Sequence, residues 1–150
     1  MTGLDGARVL ITAGASGIGL AMGHAFSAAG ARVWVTDLDA SALDHCPEDW
    51  RATPADAASE AETAALFARI GEEWGGLDAL CANAGIAGPT AKVEDIALAD
   101  WRACVGVNLE GAFLAAKHAA PMMKAAGAGA IVLTSSTAGL FGYPNRAPYA

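Results

Sequence analysis

The stretch Thr12-Ala13-Gly14-Ala15-Ser16-Gly17-Ile18-Gly19 follows the apolar block Arg8–Thr12 directly and opens a segment with helical spacing. Ile18, Met22, Ala25, Phe26 and Ala29 mark one face of that segment, and Gly30 stops it. A strand that passes into a helix through glycines has a chemical use. Glycine lets the backbone turn tightly and approach a pyrophosphate with no Cβ in the way. The helix N-terminus then offers free N–H groups and a partial positive charge to the phosphates. A turn needed only for packing is the alternative. Dinucleotide binding is favoured when an acid follows about twenty residues on.

Working outward, apolar blocks rich in Val, Ile and Leu predict strands at Arg8–Thr12, Arg32–Thr36, Trp50–Thr53, Ala79–Ala82 and Ala130–Ser135. The third is placed mainly from its neighbours. Between them, Glu60–Trp74 carries Ala64, Leu66, Phe67 and Ile70 at helical spacing, with Gly75-Gly76 after it. A long helix is expected over Leu98–Ala126, its face marked by Trp101, Val105, Leu109, Phe113 and Leu114, with Pro121 kinking or shortening its end. Near-continuous apolar strands need both faces covered, and helical right-handed crossovers supply that cover. The expected fold is an α/β doubly wound parallel sheet in a single domain over residues 1–150.

The composition, 54% hydrophobic and 17% charged over 150 residues, fits one globular domain with a substantial core. No apolar run approaches a membrane span, and Met1–Gly6 shows no leader pattern, so a cytoplasmic protein is expected. A net charge of −7 with scattered basic residues argues against a nucleic-acid partner. Cys46, Cys81 and Cys104 have no metal spacing and read as free thiols, Cys81 and Cys104 as buried small hydrophobes. No metal site is expected from His24, His45 and His118 either.

The second strand ends in Thr36-Asp37-Leu38-Asp39. A carboxylate at Asp37 can accept hydrogen bonds from both adenine-ribose hydroxyls and repels a 2′-phosphate. No basic residue lies beside it, so NAD is expected rather than NADP. Asp39 reads as the N-cap of a short helix. Two serines, Ser135 and Ser136, precede a Gly/Pro-rich stretch, and Tyr149 comes thirteen residues after Ser136.

Together these motifs resemble the short-chain dehydrogenase/reductase family, and the resemblance runs through all 150 residues. It implies the N-terminal part of a Rossmann domain, with five of the usual seven strands in the order 3-2-1-4-5. The loop is similar to the family's Thr-Gly-x-x-x-Gly-x-Gly, with Ala13 in place of the first Gly. A positive φ at Ala13 would cost about 1 kcal/mol. The resemblance implies dinucleotide contacts from Gly14, Ser16, Gly17, Ile18, Gly19, Asp37 and Leu38. It adds Asp56 and Ala57, although Asp56 also reads as a helix-start residue. Asn83, Ala84 and Gly85 match the family's Asn-Asn-Ala-Gly, with Ala82 for the first Asn; a plain strand-to-loop turn is the alternative.

By the same resemblance Asn108 disturbs its helix and holds a water in a proton relay, unless it simply faces solvent. Ser136 orients the substrate oxygen, Tyr149 exchanges its proton, and a Lys four residues beyond Tyr149 completes the set. A free phenol is almost wholly protonated at neutral pH, and a neighbouring ammonium favours the phenolate. The sequence ends at Ala150, so the isolated chain is expected to be inactive, the domain cut short at its C-terminal side. The implied activity is NAD-dependent hydride transfer on a small alcohol or ketone, by a parent homodimer or homotetramer. A non-catalytic NAD-binding module is the alternative. A Rossmann-like methyltransferase would share the loop but gives no reason for Ser136 and Tyr149. The loops Ile86–Thr90 and Gly139–Pro144 flank the expected pocket, where Tyr143 either lines the site or merely packs.

Overall fold

The structure, a computed structural model, describes residues 3–150; Met1 and Thr2, which begin the segment read for a leader, lie outside the described residues. Five parallel strands, β1 (Arg8–Thr12), β2 (Arg32–Asp37), β3 (Arg51–Pro54), β4 (Ala79–Ala82) and β5 (Ala130–Leu133), form one sheet in the order β3-β2-β1-β4-β5. The helices are α1 (Gly17–Ala28), α2 (Ala40–Leu43), α3 (Glu60–Trp74), α4 (Leu98–Val105) and α5 (Gly111–Ala126). This is the doubly wound arrangement expected from the alternating blocks.

Alternate side chains of each strand face opposite layers. Leu10, Trp34 and Leu80 pack with Leu66, Phe67, Ile70 and Trp74 of α3 and with Ala115, Ala119 and Met123 of α5. Val9, Ile11, Val33, Val35 and Cys81 pack on the other face with Leu43 and Trp50, against which Leu20, Met22 and Phe26 of α1 rest. Trp34 is fully buried and its indole N–H donates to Thr53 Oγ1 at 2.9 Å, so its polar edge is satisfied. At the opposite end of the sheet, Arg8 and Asp78 pair at 2.7 Å and tie the starts of β1 and β4.

Several expectations need correction. β3 begins at Arg51, not Trp50, and includes Pro54. Pro is tolerated there because β3 is an edge strand. Trp50 instead folds under α1, so close that a Cβ at Gly23 would run into its ring. β5 stops at Leu133, short of Ser135. Ile18 is 65% exposed, and the fully buried α1 positions are Gly19 and Gly23, with Leu20, Met22 and Phe26 partly buried beside them.

The long helix differs most. Helical structure does run from Leu98 to Ala126, but Gly106–Glu110 is a π-helical turn between α4 and α5. Trp101, Leu109 and Phe113 are exposed. The inward face is made by Cys104, Gly106, Gly111, Leu114, Ala115, Ala119 and Met123. Small residues let the helix axis approach the neighbouring layer closely, and the extra residue in the π turn rotates the following face. Pro121 lies inside α5 without ending it.

Candidate active site

The strand order reverses between β1 and β4, and the loops that leave the C-terminal ends of the strands meet beside that reversal. In open α/β sheets this is where ligands bind. The glycine loop comes first. Ala13 adopts φ 50° and Gly17 φ 51°, so the position that departs from glycine does sit in the left-handed region. At Gly14 a Cβ would stand 2.6 Å from Val35 Cγ1, and at Gly19 it would run into the Ala13 carbonyl. Ser16, the N-cap of α1, makes no side-chain capping bond, and the first turn holds no acid. The N–H groups at this helix end are therefore open to an anion.

Asp37 closes the loop from the β2 side. Its carboxylate accepts from the Ala15 N–H at 3.2 Å and from the Asp39 N–H at 3.2 Å, while Leu38 beside it is 76% exposed. Asp39 caps α2 as expected, accepting from Ser41 N–H at 2.9 Å and Ala42 N–H at 3.3 Å. The Ser41 hydroxyl and these N–H groups hold its carboxyl below the usual range. Asp56 Oδ1 accepts from the Ala58 N–H at 2.9 Å, and the cap of α3 is Ser59. Ala57 lies where a Cβ at Gly111 would press on it at 3.1–3.2 Å, which brings this loop against the start of α5.

Asn83 fastens β4 to the glycine loop. Its Nδ2 donates to the Thr12 and Ala13 carbonyls at 3.2 and 3.3 Å, and its Oδ1 accepts from Thr134 Oγ1 at 3.1 Å. The Thr12 hydroxyl oxygen in turn accepts from the N–H groups of Asn83 and Ala84 at 2.9 and 3.0 Å. Gly85 stands 3.5 Å, measured from an added Cβ, from Asn108 Oδ1.

Asn108 sits in the π turn and faces this loop, not open solvent. Its Oδ1 accepts from the Ile86 N–H at 2.8 Å and its Nδ2 donates to the Ile86 carbonyl at 3.0 Å. The same Nδ2 reaches Cys104 Sγ at 3.5 Å, and the thiol lies 3.5 Å from the Pro148 carbonyl. Burial pushes the Cys104 thiol pKa up, so it remains a neutral donor.

Ser136 and Tyr149 line one cavity of about 390 Å³ together with Ala87, Phe141, Tyr143 and Arg146. Ser136 Oγ accepts from the Ala138 N–H at 3.1 Å. Ser135 is outside the cavity lining. The Tyr149 ring meets the Tyr143 ring edge-on, centroids 6.1 Å apart, so Tyr143 both lines and packs. The phenol oxygen of Tyr149 has no hydrogen-bond partner among the described residues.

The family model for short chain dehydrogenase matches residues 7–150. The chain belongs to that family. Among similar proteins, the cis-4-hydroxycyclohexanecarboxylate dehydrogenase of Sinomonas cyclohexanicum is 39% identical over 148 residues, 93% of this chain and 59% of that protein. The D-threitol dehydrogenase of Mycolicibacterium smegmatis is 34% identical over 142 residues, 90% of this chain and 54% of the relative. The crystal structure of an NAD+-bound xylitol dehydrogenase superposes with a TM-score of 0.91 at 28% identity, covering 98% of this chain and 59% of the other. The chain thus spans a little over half the length of the relatives it matches.

Within this member of the family, sequence reasoning missed Thr12, Cys104 and Arg146. Thr12 is a buried hydroxyl at a strand end, a signal that was available because such a group needs partners. Cys104 lies four residues before Asn108, on the same helix face. Arg146 carried no sequence signal at all. Among the described residues, no helix is long and apolar enough to cross a membrane.

Proposed function

We propose that this chain carries the dinucleotide crevice and the proton-transfer groups of an NAD-dependent dehydrogenase that acts on small secondary alcohols or ketones. The observation that carries the reading is the shared cavity of Ser136 and Tyr149, in a fold whose glycine loop has no room for a Cβ at Gly14 or Gly19. The loop is compatible with a dinucleotide: Gly14 and Gly19 let it fold tightly against Val35 and the Ala13 carbonyl, Gly17 turns through φ 51° beside open space, and the α1 N-terminus is uncapped by any side chain.

Gly14, Ser16, Gly17, Ile18 and Gly19 would hold the pyrophosphate. Asp37 and Leu38 would bind the adenine ribose, and Asp56 and Ala57 the adenine. Asn83, Ala84 and Gly85 would lie along the adenosine side. When bound, the nicotinamide accepts or gives the hydride. Tyr149 holds the proton that leaves or joins the substrate oxygen, and Ser136 donates to that oxygen and fixes its direction. Asn108 holds the Ile86 loop and stands at the head of a proton path. Asp37 argues for NAD over NADP, since its carboxylate would face a 2′-phosphate.

The relatives' named substrates, a hydroxycyclohexanecarboxylate and a sugar alcohol, support a compact secondary alcohol. The exposed Trp101, Leu109 and Phe113 support self-association of the parent protein through α4 and α5, and we place it in the cytoplasm. A titration of NADH and NADPH by fluorescence, followed by alcohol oxidation read at the reduced-nicotinamide absorbance, tests the reading. Absence of NADH binding would sink it. NADH binding without turnover by any secondary alcohol would favour the second reading, a dinucleotide-binding module, which the intact crevice also supports.

A further inference from the structure

Arg146 is the one charged side chain among those lining the cavity of Ser136 and Tyr149. Two contacts hold its guanidinium in place. Nη1 donates to the carbonyls of Ala87 and Gly88 at 3.0 and 3.3 Å, and the group stacks over the Tyr143 ring, 5.8 Å from its centroid. Those contacts use one nitrogen and one face. Nε and Nη2 have no hydrogen-bond partner among the described residues, and no Asp or Glu there pairs with Arg146. The chain as a whole carries a net charge of −7, so an arginine without a carboxylate is not for want of acids.

We propose that Arg146 makes this cavity select substrates that carry a carboxylate besides the reacting hydroxyl or carbonyl. The Nε–Nη2 edge of a guanidinium presents two parallel N–H donors that match the two oxygens of a planar carboxylate. Fixing Nη1 on two main-chain carbonyls orders the fork before a ligand arrives, which lowers the entropy lost on binding. The cavity of about 390 Å³ is within the range of small-ligand pockets and takes a compact ring or short chain bearing both groups. This assignment rests on the dehydrogenase reading for the reacting hydroxyl, but the anion preference is a property of binding alone.

The test uses probes that cannot be oxidised. Binding of cyclohexanecarboxylate and of its neutral methyl ester is measured by calorimetry on the unmodified protein, on Arg146→Gln and on Arg146→Lys, with NADH affinity taken on each. The expected result is a preference for the carboxylate of about ten- to a hundredfold in the unmodified protein. It falls to about onefold in Arg146→Gln and is partly kept in Arg146→Lys, while ester and NADH affinities stay the same. Equal affinities for the two probes, or a preference that survives Arg146→Gln, overturns the proposal. Should Arg146→Gln lose the ester as well, because the Ala87–Gly88 clamp has opened, the unmodified protein decides. Its preference must weaken as salt rises from about 0.01 M to about 1 M, and a preference indifferent to salt overturns the proposal. Failure of NADH to bind tells against the dehydrogenase reading instead, and leaves the two probes to report on Arg146.

Discussion

Asn108 grips Ile86 by both of its main-chain groups, accepting from the N–H at 2.8 Å and donating to the carbonyl at 3.0 Å. A single amide side chain thereby replaces a strand partner for the loop that leaves β4. It also gives the π turn a reason to exist, since the extra residue aims Asn108 at the loop.

Replacing Asn108 by Leu removes both bonds and leaves the Ile86 groups to find water. The expected loss is about 1–2 kcal/mol in stability, read as a lower urea midpoint. Asn108→Asp keeps one acceptor and sets a carboxylate oxygen against the Ile86 carbonyl, so it should not restore the midpoint.

Ala13 holds φ 50° in a region that L-residues enter at a cost. Ala13→Gly should raise stability by about 1 kcal/mol without weakening NADH binding. An unchanged or lower urea midpoint would show that the loop is not strained.

Gly19 has the reverse constraint. A Cβ there runs into the Ala13 carbonyl and stands 2.9 Å from Asn83 Nδ2. Gly19→Ala should cost about 1–3 kcal/mol by overpacking and abolish NADH binding, with fluorescence titration and chemical unfolding run on the same sample.

Asp37→Asn keeps the side chain's shape while removing its charge. NADH affinity should fall about tenfold or more, and NADPH affinity should rise as the repulsion of a 2′-phosphate disappears. Parallel loss of both would mean that Asp37 serves only the Ala15 and Asp39 N–H groups.

The Arg8 guanidinium holds the Asp78 carboxyl at about 2, against an ordinary 3.8. A depressed carboxyl contributes stability that is full above the unfolded value and is lost as pH falls from there through about 2. The Asp78 side chain is 40% exposed, so solvent screening limits the contribution to about 1 kcal/mol or less. Asp78→Asn should lower the urea midpoint near neutral pH, and the gap to the unmodified protein should close below about pH 2.

Much of this was legible in the residues. Val9-Leu10-Ile11 before Gly14 and Gly17, and Asp37 at the end of the next block, are local signals, and they placed β1, α1 and β2. Gly30, read as a stop, adopts φ 88°, and Gly75, noted directly after the next helical stretch, adopts φ 70°. The face of the Leu98–Ala126 segment was misread because periodicity weighs large apolar residues. Here Gly106, Gly111 and Ala115 make the contact, and Trp101 and Phe113 do not.

The strand order was implied only by the family resemblance. The strand–helix alternation and its crossovers follow from chain-local chemistry: apolar blocks too continuous to leave a face bare, glycines where a Cβ would block a turn, and an acid spaced from them by one strand–helix unit. The sequence alone was enough for those, since each involves neighbours along the chain or a rule shared by all parallel sheets. The convergence of Thr12 with Asn83, of Cys104 with Pro148 and of Arg146 with Ala87 belongs to the folded molecule. Those partners lie 71, 44 and 59 residues apart, and a hydrogen bond depends on ångströms of separation that no spacing along the chain encodes.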